Sequence, residues 1–288
     1  MRIGDFATKY SKYLLLAPGL IASIIAVIIP LAILVPISFY KYRFPEVIPE
    51  FTLENYIAYL FSEKTGTILL NTFGLSFITC LLCLAFAYPI AYTLVFKIKS
   101  SRVKTYIVSL LMVPFLIDWS IRTVAWISVL GERGLVNYFL VSTGLSATPQ
   151  KLLFSPIALV VIWLQTYTLF MLFPIYLAMQ RIDLDYIRAA QVLRTPPHRV
   201  QYEIVFKLSR PGILTGFIFV FVSTLGDFVT PSLWAGGIQT LGLSIASYAG
   251  NYLWTKAAAM SSIMLVITLV ALYILIKIGQ IKKLVYER

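Results

Sequence analysis

No charged residue occurs between Lys12 and Lys41, between Lys64 and Lys97, between Lys151 and Arg181, or between Lys256 and Lys277. Each can hold the roughly 20 apolar residues that cross a hydrocarbon core as an α-helix. A backbone in lipid must satisfy its own hydrogen bonds, so a chain built from such runs folds as membrane-spanning helices. Two more apolar segments, about 105–130 and about 211–233, contain internal charge and are still long enough to cross. The expected architecture is therefore all-α and polytopic, with six transmembrane helices.

The first run, Tyr13 to Tyr40, is too long for the h-region of a secretory signal and ends in no small-residue cleavage signature, so it reads as a retained span. Pro30, Pro36, Pro89, Pro114 and Pro174 fall inside spans, where each frees a backbone carbonyl that neighbouring groups must satisfy. The loop 41–66 is acidic, carries Pro45 and Pro49, and reads as an extended lead into a short helix around Leu53 to Tyr56.

A net charge of +12 would suggest a nucleic-acid partner in a soluble protein. Here 59% of the residues are hydrophobic, and the placement of the charges matters more than their sum. With the N-terminus inside, 17 of the 24 Lys and Arg fall in inner segments: Arg2 to Lys12, 97–104, 181–210 and 277–288. This asymmetry puts both termini in the cytoplasm of a cell (inner or plasma) membrane protein and leaves no role for nucleic acid. A seventh crossing in 234–255 would put Lys282, Lys283 and Arg288 on the wrong side. That glycine-bearing stretch is expected to be an outer loop with a short surface or re-entrant helix.

Cys80 and Cys83 form a CxxC in mid-span, with no histidine or acid nearby, and read as small buried side chains. His198 is the single histidine, so a histidine-based metal or catalytic cluster is hard to build.

The polar segment after the fourth span reads as helix, break, helix. Asp183 or Asp185 is a potential N-cap, and Tyr186, Ala189, Ala190 and Leu193 share one face. Thr195-Pro196-Pro197 stops the helix. Thr195 is the expected N-cap of the next one, with Pro196 at its first position, and Val200, Ile204 and Leu208 line its second face. Pro211 is expected to open the fifth span. A basic interfacial linker would bind anionic lipid without such punctuation; a docking element for a rigid cytoplasmic partner would need it.

Arg188 to Ile213, RAAQVLRTPPHRVQYEIVFKLSRPGI, resembles the cytoplasmic EAA loop of binding-protein-dependent ABC importer permeases. Ala189, Ala190, Leu208, Pro211, Gly212 and Ile213 fit that pattern. Arg188 stands in place of its glutamate, Arg194 of its glycine, and Lys207 of a proline. Val113 to Leu140, Ser223 to Gly237 and Phe86 to Leu94 resemble the spermidine/putrescine-type members. The resemblance implies one permease domain over 1–288 with a coupling loop at 183–208, in which Arg188, Ala189, Ala190, Leu193, Arg194, Thr195 and Pro196 meet the ATPase. It also implies partners: a second homologous permease, an ATPase dimer and an external substrate-binding protein. The implied function is half of a polyamine path working by alternating access, the alternative within the same family being a permease for another small solute.

The chain contains no Walker A sequence. ATP and magnesium are thus expected on partner subunits, with no cofactor, metal or enzymatic activity in this chain. A secondary transporter would place an ion site at broken helices within repeats, and no repeat is visible. A membrane-bound transferase would need clustered acids or histidines.

Three ionisable residues lie well inside spans: Asp118, Arg122 and Asp227. Such charges need a partner or water. Asp118 and Arg122, four apart, are expected to face one side and pair. Either these residues and Trp119 line a translocation path that attracts a cationic substrate, or they staple helices together. Trp126, Trp163, Tyr167 and Phe228 offer either cation–π walls or packing. Gln165, Tyr167 and Thr168 give the fourth span a polar patch suited to interhelical hydrogen bonds.

Overall fold

The computed structural model describes residues 17–43 and 46–286, with side chains as far as Lys277. Arg2, Lys9, Lys12, Pro45 and Arg288, and the side chains of Lys282 and Lys283, lie outside the described residues. Six helices are long and apolar enough to cross a membrane: α1 (Ala17–Ser38), α3 (Glu63–Lys97), a broken third span (Trp119–Ser142), α8 (Pro156–Gln180), α10 (Pro197–Gly226), and Trp254–Lys277 within α13 (Trp254–Tyr286). The chain divides into two compact units.

The first unit comprises Met1–Ser62 and Ile245–Val266. The acidic lead after α1 is a two-stranded antiparallel hairpin, β1 (Tyr40–Arg43) and β2 (Glu46–Phe51), followed by α2 (Glu54–Leu60). Tyr40, Tyr42, Val47 and Ile48 favour strands, and Pro49 falls at the register shift between Ile48 and Phe51, where it has no paired partner.

The second unit comprises Glu63–Ser244 and Ile267–Arg288. Its core is α8 packed along α10 and α3, with α3 also against α10. Ser155 caps α8 by accepting a hydrogen bond from Ala158 N at 3.2 Å, and Pro156 occupies the first turn. Leu159, Ile162, Trp163, Met171, Leu172, Ile175 and Met179 are all buried along α8. The contact with α10 is close because Gly212 and Gly216 lie one turn apart. A Cβ at Gly212 would sit 2.4 Å from the Pro174 carbonyl oxygen, and one at Gly216 2.8 Å from Met171 Sδ. This small-xxx-small spacing lets backbones approach in lipid. Cys80 and Cys83 are fully buried in α3, where Thr168 Oγ1 on α8 lies 3.7 Å from Cys83 Sγ.

The third span differs from a continuous helix over 105–130. It follows α4 (Ser101–Met112) through a 3-10 turn at Val113–Leu116, where Pro114 lacks an N–H. The chain then restarts as α5 (Trp119–Ala125), α6 (Ile127–Leu130) and α7 (Leu135–Ser142). The fifth span also differs. Pro211 does not open it; α10 begins at Pro197, and Pro211 lies in its interior. The wide-turn stretch Val200–Phe206 merges with the span and is no separate helix. After Gly226 the chain breaks at Asp227, then forms α11 (Val229–Trp234). The glycine-bearing stretch that follows holds α12 (Leu241–Gly250), ten residues and too short to cross.

Candidate functional site

The breaks in the third and fifth spans both border one cavity of about 710 Å³ in the second unit. Asp118, Trp119, Arg122 and Asp227 all line it, so the four residues singled out within the spans come together. Their roles differ.

Asp118 is exposed and caps α5. Its Oδ1 accepts from Ser120 N at 2.8 Å and Ile121 N at 3.4 Å. The expected ion pair with Arg122 is absent: among the described residues neither side chain has an ion-pair partner. A carboxylate aimed at its own helix N-terminus is held by the backbone donors there. Arg122 Nε and Trp119 Nε1 are buried, with no hydrogen-bond partner among the described residues.

Asp227 is 2% exposed. One oxygen, Oδ2, accepts from Trp163 Nε1 at 2.5 Å and, more weakly, from Tyr167 OH at 3.4 Å. The other, Oδ1, accepts from Thr230 N at 3.1 Å. Two donors one turn apart on α8 and the first turn of α11 thus converge on this carboxylate. It ties the break in the fifth span to the fourth, in keeping with the cost of an unpaired charge in the membrane. Trp163 and Tyr167 stand at i and i+4, a spacing that could have signalled this hub.

Aromatic rings form part of the wall. Phe115 and Phe170 have centroids 5.4 Å apart, and Trp119 and Tyr167 lie 6.5 Å apart. Trp163 is buried behind the cavity, Phe228 is 48% exposed, and Trp126 borders a neighbouring cavity of about 330 Å³. An exposed carboxylate beside aromatic faces suits an organic cation, while Arg122 opposes one.

The second candidate surface is the turn between α8 and α10. Asp183 caps α9 (Leu184–Val192) by accepting from Asp185 N at 3.0 Å. Arg188 pairs with Asp185 at 2.9 Å on the exposed side. The helix stops in a Schellman arrangement: Thr195 N donates to Ala190 O at 3.0 Å and Arg194 N to Gln191 O at 2.9 Å. Arg194 holds φ +54°, the left-handed region where glycine is usual. Thr195 is not the next N-cap. Pro196 holds that position without a side-chain bond and Pro197 begins the helix, so the turn is one residue longer. Of the expected apolar face, only Ala190 is buried. Tyr186 is 60% exposed and Leu193 78%, and Val192 beside them 82%.

Because Arg194 occupies a left-handed site, Arg194→Gly is expected to relax the turn by up to about 1 kcal/mol. Thermal melting of the purified chain should rise slightly. Arg194→Val should lower it, because β-branched residues fit that conformation worst.

The sequence profile of the family described as "Binding-protein-dependent transport system inner membrane component" matches residues 84–280. The Salmonella typhimurium (strain SL1344) protein "Spermidine/putrescine transport system permease protein PotB" is 29% identical over 191 residues, 66% of each chain. The match thus covers just under two thirds of that relative's length. A crystal structure of a bacterial ABC transporter involved in the import of the acidic polysaccharide alginate shares the fold. Its TM-score is 0.69 at 18% identity, covering 96% of this chain and 97% of that one. A second structure, of the bacterial alginate ABC transporter in complex with alginate pentasaccharide-bound periplasmic protein, gives a TM-score of 0.68 at 17% identity and covers 96% of both chains.

Proposed function

The chain belongs to the family of binding-protein-dependent transport system inner membrane components, and from that premise we propose that it forms half of the translocation path of an ATP-driven importer for polyamines of the spermidine/putrescine type. It is a multi-pass inner-membrane permease with the fold of the ABC importer permeases. The proposed assembly adds a second permease, a dimer of ATPase subunits that bind ATP and magnesium, and an external substrate-binding protein. Both termini and the 183–208 segment face the cytoplasm, in line with the concentration of Lys and Arg in those segments.

The observation that carries this reading is the α9 turn. Three large apolar side chains, Tyr186, Val192 and Leu193, stand exposed on a short capped helix whose end is fixed by backbone hydrogen bonds. A docking surface needs both features: apolar area to bury, and little conformational freedom to lose. Arg188, Ala189, Ala190, Leu193, Arg194, Thr195 and Pro196 form the seat of the ATPase. ATP-driven closure of the ATPase dimer moves α9, and the movement reaches the cavity through α10, which is continuous from Pro197 to Gly226.

The polyamine assignment is supported by the named relative and by Asp118 beside Trp119 and Tyr167 in the cavity. An ammonium group meets Asp118 and the ring faces. Arg122 keeps that attraction weak enough for release and so acts as a gate. Asp227 holds the cavity wall through the bonds its carboxylate accepts from Trp163, Tyr167 and Thr230.

Proteoliposomes containing the four-component importer should accumulate labelled spermidine only with ATP inside and binding protein outside. Uptake by this chain alone, driven by an ion gradient, would assign it to secondary transport.

A further inference from the structure

The short helix α2 in the first unit has two opposed faces. Asn55 and Tyr59, four residues apart, are both 8% exposed and face the rest of the unit. Leu53, Ile57, Leu60 and Phe61 follow i, i+4, i+7 and i+8 and share the opposite stripe. They are 56%, 54%, 55% and 83% exposed. The stripe is as apolar as a membrane span, although α2 is only seven residues long.

Its position is tightly constrained. Asn55 Nδ2 donates to Ser38 O at 3.1 Å and to Tyr40 O at 3.0 Å. Tyr56 OH lies 2.6 Å from Ser38 Oγ. Phe39 stacks on Phe51 at 4.9 Å and contacts Tyr56 at 5.0 Å. Ser38 is the last residue of α1, so α2 is bonded directly to the end of a membrane-crossing helix. On its other side, Phe61 and Ser62 alone separate it from α3. A helix so tethered is held at the end of a membrane-crossing segment.

We propose that α2 is an interfacial anchor, lying along the bilayer surface with Leu53, Ile57, Leu60 and Phe61 inserted among the lipids. Apolar side chains gain free energy on leaving water, and an aromatic residue such as Phe61 can also sit at the headgroup level. Glu54 flanks the stripe and Glu46 and Glu50 lie on the attached hairpin, a polar side left for water. The anchor fixes the height and rotation of the end of α1, a helix in which Ser38 alone is buried among the described residues.

The test places a nitroxide at single introduced cysteines, Glu54→Cys, Ile57→Cys, Ala58→Cys and Leu60→Cys, in the assembled importer. The importer is held in nanodiscs of phosphatidylethanolamine and phosphatidylglycerol. Native Cys80 and Cys83 are fully buried, and the unsubstituted chain supplies the labelling background. Relaxation by oxygen, which concentrates in lipid, is compared with relaxation by a water-soluble nickel chelate. The anchor predicts strong oxygen and lost chelate access at 57 and 60, with chelate access kept at 54 and 58. Equal chelate access at all four positions would put the stripe in water. Loss of both reagents at 57 and 60 would show a protein, the second permease or the binding protein, covering it. Either result overturns the proposal, and neither depends on the identity of the transported solute.

Discussion

Replacing Val192 and Leu193 together by glutamate is expected to release the ATPase subunits while leaving the membrane helices folded. Both side chains point away from the rest of the chain, at 82% and 78% exposure, so the permease loses no packing. The cost falls on the interface, where two carboxylates would be buried without partners. Interface anchors of this kind are worth about 2 kcal/mol or more each, and two amount to roughly a thousandfold in affinity. Co-purification of the ATPase with the tagged permease should fall to background, and ATP-driven uptake should fall with it. The permease's own melting temperature should move little, since exposed positions contribute little to folding. Arg188→Ala should act more gently, because the pair with Asp185 is exposed and such pairs are worth less than about 1 kcal/mol.

The second large effect is expected at Asp227. In Asp227→Ala the Trp163 and Tyr167 side chains and the Thr230 N–H lose their shared acceptor in a site that is 2% exposed. Each orphaned buried donor costs about 1–3 kcal/mol, so a total on the order of 3 kcal/mol or more is expected. Thermal melting of the purified chain should drop by roughly 5–10 °C, and uptake should be lost because the break after α10 is no longer held to α8. Asp227→Asn restores only one accepting oxygen and should fall between. Asp118→Asn makes the contrast. Its amide oxygen can still cap α5, so melting should change little, while uptake of a cationic solute should weaken through loss of the charge. If Asp118→Asn destabilises the chain as much as Asp227→Ala, the division between path and scaffold fails.

Four of the six spans were legible because charge-free length is a direct consequence of the lipid solvent, and the other two because their apolar length survives one or two charges. The ends were less so. Pro211 reads as an opening residue, because proline favours a helix start, yet α10 passes through it from Pro197. The helix accommodates the missing N–H, and the wide turns at Val200–Phe206 lie just upstream. Thr195 reads as a cap one residue too early, because αL at Arg194 lengthens the turn and no glycine there signals it. The cost of charge in lipid made Asp118, Arg122 and Asp227 conspicuous, and together with Trp119 they line one cavity. Their partners were not legible in the same way. Spacing along a helix suggested Asp118 with Arg122, but the break created by Pro114 turned Asp118 into a cap. The acceptor for Trp163 and Tyr167 lies about 60 residues away in sequence, and only tertiary packing brings it to them. The hairpin at 40–51 was hidden by its acidic composition and two prolines, although its tyrosines and valine favour strands.

The central claim is that the helix between the fourth and fifth spans is the seat of a nucleotide-hydrolysing partner. Its most direct test is a photo-crosslinking residue at position 193 in the assembled importer in native membrane. One dominant adduct is expected, to the ATPase subunit, with a yield that changes when ATP is trapped. Adducts to lipid alone, with the ATPase present and uptake intact, would contradict it.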